Sequence, residues 1–421
     1  MNNQQVDCGC DTMSQPLLSI DEALEKLTNS VKVTNSTQLI RLDDALNRIL
    51  VIDVHANIST PSFDNSAMDG YAINLKINQI NTPGGFTFEI TGRILAGSIG
   101  NALAPGCAAR IFTGAPIPKD ANTVLMQEEC ELIENKSKIK VYRPISLGEN
   151  IRPMGNDIQS GNIILSKGTQ LQPQDIALAA SVGIDKLEVF HKIKVGVFFT
   201  GYELVNPGDT LQQGKIFNSN RYLLVALLNK LGCKITNLGS IKDTFNATCN
   251  ALKALKSDCD LIITTGGVSV GEEDYIKPAI EQLGQLNLWR IKIKPGKPIV
   301  FGSLGHCAFI GLPGNPVSAM VTFLLFARPF IKKMQGASHY LNTTFKTQAN
   351  FDWHKPKPRR EFIRARLDHT TFPTKANLYP KQGSDVLSSM VWADGLIEVP
   401  EKITFKRGKV LNFYPLNEML S

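Results

Sequence analysis

The chain lacks any apolar run long enough to cross a bilayer. The longest, residues 319–327, is broken by Thr322 and falls well short of the about 20 residues a membrane helix needs. Its first thirty residues hold no basic start followed by a hydrophobic block, so no secretory leader is expected and a cytoplasmic location is the reading. The eight cysteines, at 8, 10, 107, 130, 233, 249, 259 and 307, contain no CxxC pair, which argues against zinc ribbons and dithiol redox motifs and for buried thiols. Cys8-Gly-Cys10 lies on a terminal tail, residues 1–16, and reads as incidental, with a soft-metal site as its alternative. Aromatic residues are only 7% and form no stripe with basic ones. The net charge of +7 therefore does not argue for nucleic acid, and neither a nucleic-acid nor a membrane partner is expected.

What is present is a globular composition, 43% hydrophobic and 20% charged over 421 residues, enough for about three domains. The organising stretch is CDLIITTGGVSVGEEDY, residues 259–275. Leu261, Ile262 and Ile263 are a buried-strand pattern that stops at Thr264-Thr265-Gly266-Gly267, and in open α/β sheets ligands sit beyond such strand ends. Gly266, Gly267 and Gly271 permit close backbone approach to an anion, Ser269 adds a hydroxyl, and Glu272, Glu273 and Asp274 offer carboxylates to a cation or proton. A glycine turn followed by an acidic first helical turn explains the same residues without any ligand.

Around this stretch, strands and helices alternate from residue 192: strand 194–200, helix 221–231, strand 234–238, helix 246–255, then the glycine loop and a helix to 283. This is the pattern of a doubly wound parallel sheet. Glu203, Asp243 and Asp274 each follow a strand of that sheet, so they should share one edge, where converging carboxylates call for a cation or a proton. As single residues, Asp243 also suits a helix cap and Glu203 a loop. Residues 289–298, WRIKIKPGKP, read as a strand with a basic face that presents Arg290, Lys294 and Lys297 to a polyanion. Leu312-Pro313-Gly314-Asn315-Pro316 reads as a rigid turn whose following helix would turn free N–H groups towards an anion.

Upstream, Ser19-Ile20-Asp21-Glu22 has the form of a capping box, and the apolar spacing of Leu42, Ala45, Leu46 and Ile49 predicts a helix over 43–50. Residues 51–141 break into short strands at 86–94, 109–112, 123–126 and 139–142 with polar turns, a β-rich insert. Residues 157–191 are expected to return to helix, with 174–181 the best piece, and the chain after Gln335 reads as a small β-domain with a basic centre at 355–366. The expected architecture is α/β multidomain. A discontinuous helical or linking domain (1–46 and 147–191) surrounds a β-rich module (47–146), followed by the doubly wound domain (192–336) and a C-terminal β-domain (337–421).

FDNSAMDGYA, RIFTGAP, TTGGVSVGEEDY, IKPGKP, GLPGNPVSA and REFIRARL, in this order, resemble the molybdopterin molybdenumtransferase family from about residue 17 to 416. The resemblance implies a central molybdopterin-binding domain like that of MogA, a barrel-like C-terminal domain and a homodimer. It implies magnesium-dependent hydrolysis of adenylylated molybdopterin, release of AMP and transfer of molybdate to the dithiolene. Carried onto this sequence, it makes Glu203, Asp243 and Asp274 the reacting acids, with Asp243 and Asp274 the magnesium ligands. It makes Asp64, Thr113, Arg152, Asp157, Gly266, Gly267, Ser269, Lys294, Lys297, Pro313, Asn315, Pro316, Arg364 and Ser384 substrate-binding positions, the first four brought to the cleft by the dimer. Transient contacts with the molybdopterin adenylyltransferase and with molybdoenzyme apoproteins are also implied. Arg290 stands where a lysine is common in the family, and Pro153 and Met154 replace basic residues sometimes found beside Arg152. Two alternatives remain: an adenylyltransferase acting on molybdopterin, and a non-catalytic scaffold like gephyrin's E domain.

Overall fold

The computed structural model describes residues 17–76, 85–267 and 274–420. Cys8, Cys10, Ser269, Gly271, Glu272 and Glu273 lie outside the described residues.

The central sheet is built from β1 (Lys194–Phe199), β2 (Lys234–Ser240), β3 (Leu261–Thr265), β4 (Gln285–Arg290), β5 (Pro298–Leu304) and β6 (Cys307–Leu312), in the order β2-β1-β3-β6-β5-β4. The first four in that order are parallel; at one side β5 pairs antiparallel with β6, and β4 antiparallel with β5. Helices cover both faces. On one lie α1 (Ser219–Lys230) and the long helix that opens with α4 (Pro316–Thr322), packing Leu224, Leu228, Phe323 and Phe330 onto Val195, Val197 and Ile263. On the other lie α2 (Phe245–Lys256) and α3 (Ile276–Leu283), packing Leu252, Leu255 and Ile280 onto Phe198 and Ile262. The β3 sequence LIITT suits this position because both of its faces are buried and β-branched chains pack well on a pleat.

Caps fix where the helices begin at the strand ends. Asn218 accepts from the Arg221 N–H and Thr244 from the Ala247 N–H, and Gly232, at φ +71°, ends the helix that follows Asn218. The long helix passes through a π turn, Phe323–Ala327, just before Pro329, whose missing N–H and ring disfavour a regular α turn there.

The capping box is formed as expected: Ser19 and Glu22 bond reciprocally at the start of helix Ile20–Asn29. That helix buries Ile20, Ala23 and Leu27 in the core of the central sheet. The helix expected over 43–50 is not there. A single 3-10 turn, Leu42–Asp44, leads to Asn47 at φ +61°, and Ile49 and Leu50 make bridges to Gln170 and Val189. Likewise, of 157–191 only Pro173–Ser181 is helical, while Lys186–Phe190 pairs antiparallel with Thr37–Arg41.

The insert is a six-stranded sheet running Thr123–Met126, Gly70–Ile73, Cys107–Ile111, Phe86–Ile94, Lys138–Val141 and Glu131–Ile133 in spatial order. The C-terminal strands β7 (Phe345–Ala349), β8 (Arg360–Asp368), β9 (Lys375–Leu378), β10 (Gly395–Val399) and β11 (Val410–Pro415) close on themselves. Pairings run β8–β9–β7–β11–β10 and back to β8, a five-stranded barrel without a free edge.

The stretch WRIKIKPGKP is not one strand. Strand β4 stops at Arg290, and Ile293–Lys294 leaves the sheet to pair in parallel with Arg360 and Glu361 of the barrel. This crossing joins barrel to sheet and shapes the space between them.

Candidate active site

A cleft of about 1260 Å³ opens between the C-terminal ends of the parallel strands and the barrel. Sequence reasoning placed Glu203, Gly266, Gly267, Lys294, Lys297, Pro313, Asn315, Pro316 and Ser384 in one site, and all nine line this cleft. Their convergence follows from the fold. Glu203 comes after β1, Gly266 and Gly267 after β3, Pro313 to Pro316 after β6, and the two lysines from the crossing segment.

Opposite them stands the barrel loop of Gln382, Gly383, Ser384 and Asp385. Its docking is specific: Asn315 Nδ2 donates to Ser384 Oγ at 3.0 Å, and the Val317 N–H donates to Ser384 O at 3.1 Å. Two of the backbone N–H groups expected to face an anion are taken within the fold. Pro316 has no N–H, the Val317 N–H is taken by Ser384, and the Gly266 N–H donates to Leu312 O at 3.0 Å. The side chains of Lys294, Lys297 and Arg359 carry positive charge into the cleft, against Glu203 and Asp385.

Arg364 does not line the cleft. It is 1% exposed, and it donates from Nη2 to Gly383 O at 2.8 Å and from Nε to Ser389 Oγ at 3.0 Å. Burial pushes its guanidinium down to about 10. It supports the loop from behind.

Asp274 stands behind Gly267, where a Cβ added to that glycine would lie 3.6 Å from Asp274 Oδ1. Oδ1 accepts the Ile276 N–H at 3.2 Å, whereas Oδ2 is buried with no hydrogen-bond partner. Burial raises this carboxyl to about 6 against the pull of the Lys277 cation, and repulsion from Asp243 adds a smaller push in the same direction as burial. Asp243 is half-buried and belongs to the loop after β2. Among the described residues no three His, Cys, Asp or Glu side chains gather as a self-sufficient metal cage. Two electrostatically coupled carboxylates, one with an orphaned oxygen, suit an ion that takes one or two carboxylates and completes its shell with water and phosphate oxygens.

The other four positions, on the insert and the segment that follows it, form a second group, and none of them lines the cleft. Asp64 Oδ1 accepts the Met154 N–H at 2.7 Å, Arg152 pairs with Asn65, and the Asp157 N–H donates to Thr60 O at 3.0 Å. Thr113 donates both its N–H and its hydroxyl to Asp69 Oδ1, at 2.8 and 2.7 Å, which holds that carboxyl below the ordinary range. The loops carrying these residues are thus bonded to one another.

Sequence reasoning missed Thr200, Asn218, Asn220, Arg359, Gln382 and Asp385 as cleft residues. Asn220 Nδ2 donates to Gly314 O at 2.6 Å and pins the Pro-Gly-Asn-Pro turn. Its position just after a helix cap beside a strand end was the available signal; Gln382 and Asp385 gave none.

The chain matches three family models in succession: "MoeA N-terminal region (domain I and II)" over residues 18–183, "Probable molybdopterin binding domain" over 196–333 and "MoeA C-terminal region (domain IV)" over 346–416. It is 37% identical over 408 residues to the molybdopterin molybdenumtransferase of Haemophilus influenzae, covering 96% of this chain and 100% of that one. The chain belongs to the molybdopterin molybdenumtransferase family. Another member, from Bacillus subtilis, is 32% identical over 388 residues, covering 91% of this chain and 90% of its own. A solved structure of the molybdopterin biosynthesis MoeA protein from Pyrococcus horikoshii OT3 superposes with a TM-score of 0.81 at 30% identity, over 95% of this chain and 100% of that one. As a family member the chain has its described cleft between the molybdopterin-binding region and the C-terminal region.

Proposed function

We propose that this chain is the molybdenum-inserting enzyme of molybdenum cofactor biosynthesis. It hydrolyses adenylylated molybdopterin, releases AMP and transfers molybdate to the dithiolene sulfurs. The observation that carries this reading is the pairing of a large cleft bearing Lys294, Lys297 and Arg359 with the orphaned Asp274 Oδ2 behind its glycine wall. Family membership across all three regions supports it.

In hydrolysis, water adds to one phosphorus of the pyrophosphate, the bridging P–O bond breaks, and AMP and the molybdopterin phosphate separate. Lys294, Lys297 and Arg359 bind the negative oxygens and stabilise the charge that gathers on the leaving phosphate. Glu203, an exposed carboxylate that lines the cleft, accepts the proton of the attacking water in this reading. Asp274 and Asp243 would hold magnesium, which when bound neutralises phosphate charge. The second substrate, molybdate, is an oxyanion and draws on the same cations.

A homodimer extends the reading: the group of Asp64, Thr113, Arg152 and Asp157 on one subunit would face the other subunit's cleft. Replacing Asp274 by Asn tests the site. Magnesium-dependent AMP release should disappear while the circular dichroism and sedimentation of the protein stay unchanged; undiminished turnover would contradict the assignment.

A further inference from the structure

Glu361 is a buried carboxylate, 5% exposed, on the barrel strand β8. Its Oε1 lies 2.9 Å from Lys294 Nζ, and the two residues are register partners where the crossing segment pairs with the barrel. The pairing is anchored just before them: the Arg360 N–H donates to Lys292 O at 3.0 Å and Arg359 Nη1 donates to Ile293 O at 3.5 Å. The Lys294 side chain is 46% exposed and lines the cleft. An ammonium has three donors. With one committed to Glu361, two remain for a cleft ligand on a side chain that would otherwise sample many rotamers.

We propose that Glu361 is a positioning residue: it clamps the Lys294 ammonium in the orientation that meets a phosphate oxygen in the cleft, and so makes the barrel a structural part of the reaction site. This rests on the function proposed above. The clamp has two opposed effects. It fixes the lysine for the bond-breaking step, which needs an oriented cation, and it withholds part of the lysine's charge from a ground-state anion. Glu361 therefore trades affinity for rate.

That trade separates positioning from simple support of the fold. In Glu361→Gln, pyrophosphate binding measured by calorimetry should tighten about threefold, while kcat for AMP release falls about tenfold. In a Lys294→Met background, Glu361→Gln should leave kcat unchanged within about twofold, because the group it acts through is gone. Lys294→Met alone should lower the melting temperature more than the double variant does, because it strands a buried charge. Weaker pyrophosphate binding in folded Glu361→Gln, or a further large kcat loss in the Lys294→Met background, overturns the proposal. Should the wild-type protein release no AMP, the assigned reaction fails by itself, and the calorimetric and melting comparisons still decide whether Glu361 sets the charge Lys294 offers to a polyanion.

Discussion

Arg364, sealed inside the barrel wall, donates a 2.8 Å hydrogen bond to the carbonyl of Gly383 on the cleft rim. Its Nε bonds Ser389 Oγ, which in turn donates to Val386 O at 2.6 Å, so one guanidinium holds both ends of the loop that docks on Asn315 and Val317.

Replacing Arg364 by Met should cost about 2–4 kcal/mol, because charge-assisted hydrogen bonds to buried groups are lost and the Gly383 carbonyl is left without this donor. Replacement by Lys should recover only part, since an ammonium cannot reproduce the fork. Urea denaturation measures both, and turnover should fall in step with loop docking rather than with loss of a substrate contact.

The Asp274 carboxyl, raised by burial to about 6 from the ordinary 3.8, links pH to stability. Below 3.8 the group is neutral in folded and unfolded chains and its burial carries no charge cost; above 6 it is ionised in both and the full cost is present. Asp274→Asn should thus be more stable than wild type at pH 8, with the advantage shrinking as pH falls from 6 to 4. Magnesium should raise the melting temperature of wild type at pH 8 and not that of the variant. Magnesium competes with the proton for this carboxylate, so the acid limb of AMP release should move to lower pH as magnesium is raised.

Gly296 sits in the cleft wall at φ +100°, and a Cβ there would meet Thr322 Cγ2 at 2.4 Å. Gly296→Ala should destabilise by about 1–3 kcal/mol and weaken pyrophosphate binding by displacing Lys294 and Lys297, measurable by thermal melts and calorimetry.

Lys332, 6% exposed on the long helix, is pushed down to about 8 by burial and by Arg328. Below that pH it is charged in both states and burial opposes folding; above its ordinary 10.5 it is neutral in both. Lys332→Met should add about 2 kcal/mol at pH 7, and the gain should fade between pH 8 and 10.5.

Legibility followed the range of the determining interaction. The capping box at Ser19 and the strands at 86–94 and 123–126 depend on neighbours in sequence or on their own pattern, and they stand where expected. The cleft residues at strand ends were legible because a parallel sheet must present those ends on one side. The helix expected over 43–50 failed because its apolar spacing imitates a helix, while Leu50 is bound to Val189, far along the chain. The basic strand at 289–298 failed in the same way: Lys294 takes its partner from Glu361, in another domain. Arg364, expected as a substrate-binding position, is instead buried where the Gly383 carbonyl and Ser389 hydroxyl satisfy it, and composition does not encode that.

The most direct measurement is AMP release from adenylylated molybdopterin by the purified protein with magnesium, with and without molybdate, and with no ATP. The account predicts molybdate-dependent AMP release and a product that activates a molybdenum-free apoenzyme. A folded protein that releases no AMP but consumes ATP to adenylylate plain molybdopterin would contradict it.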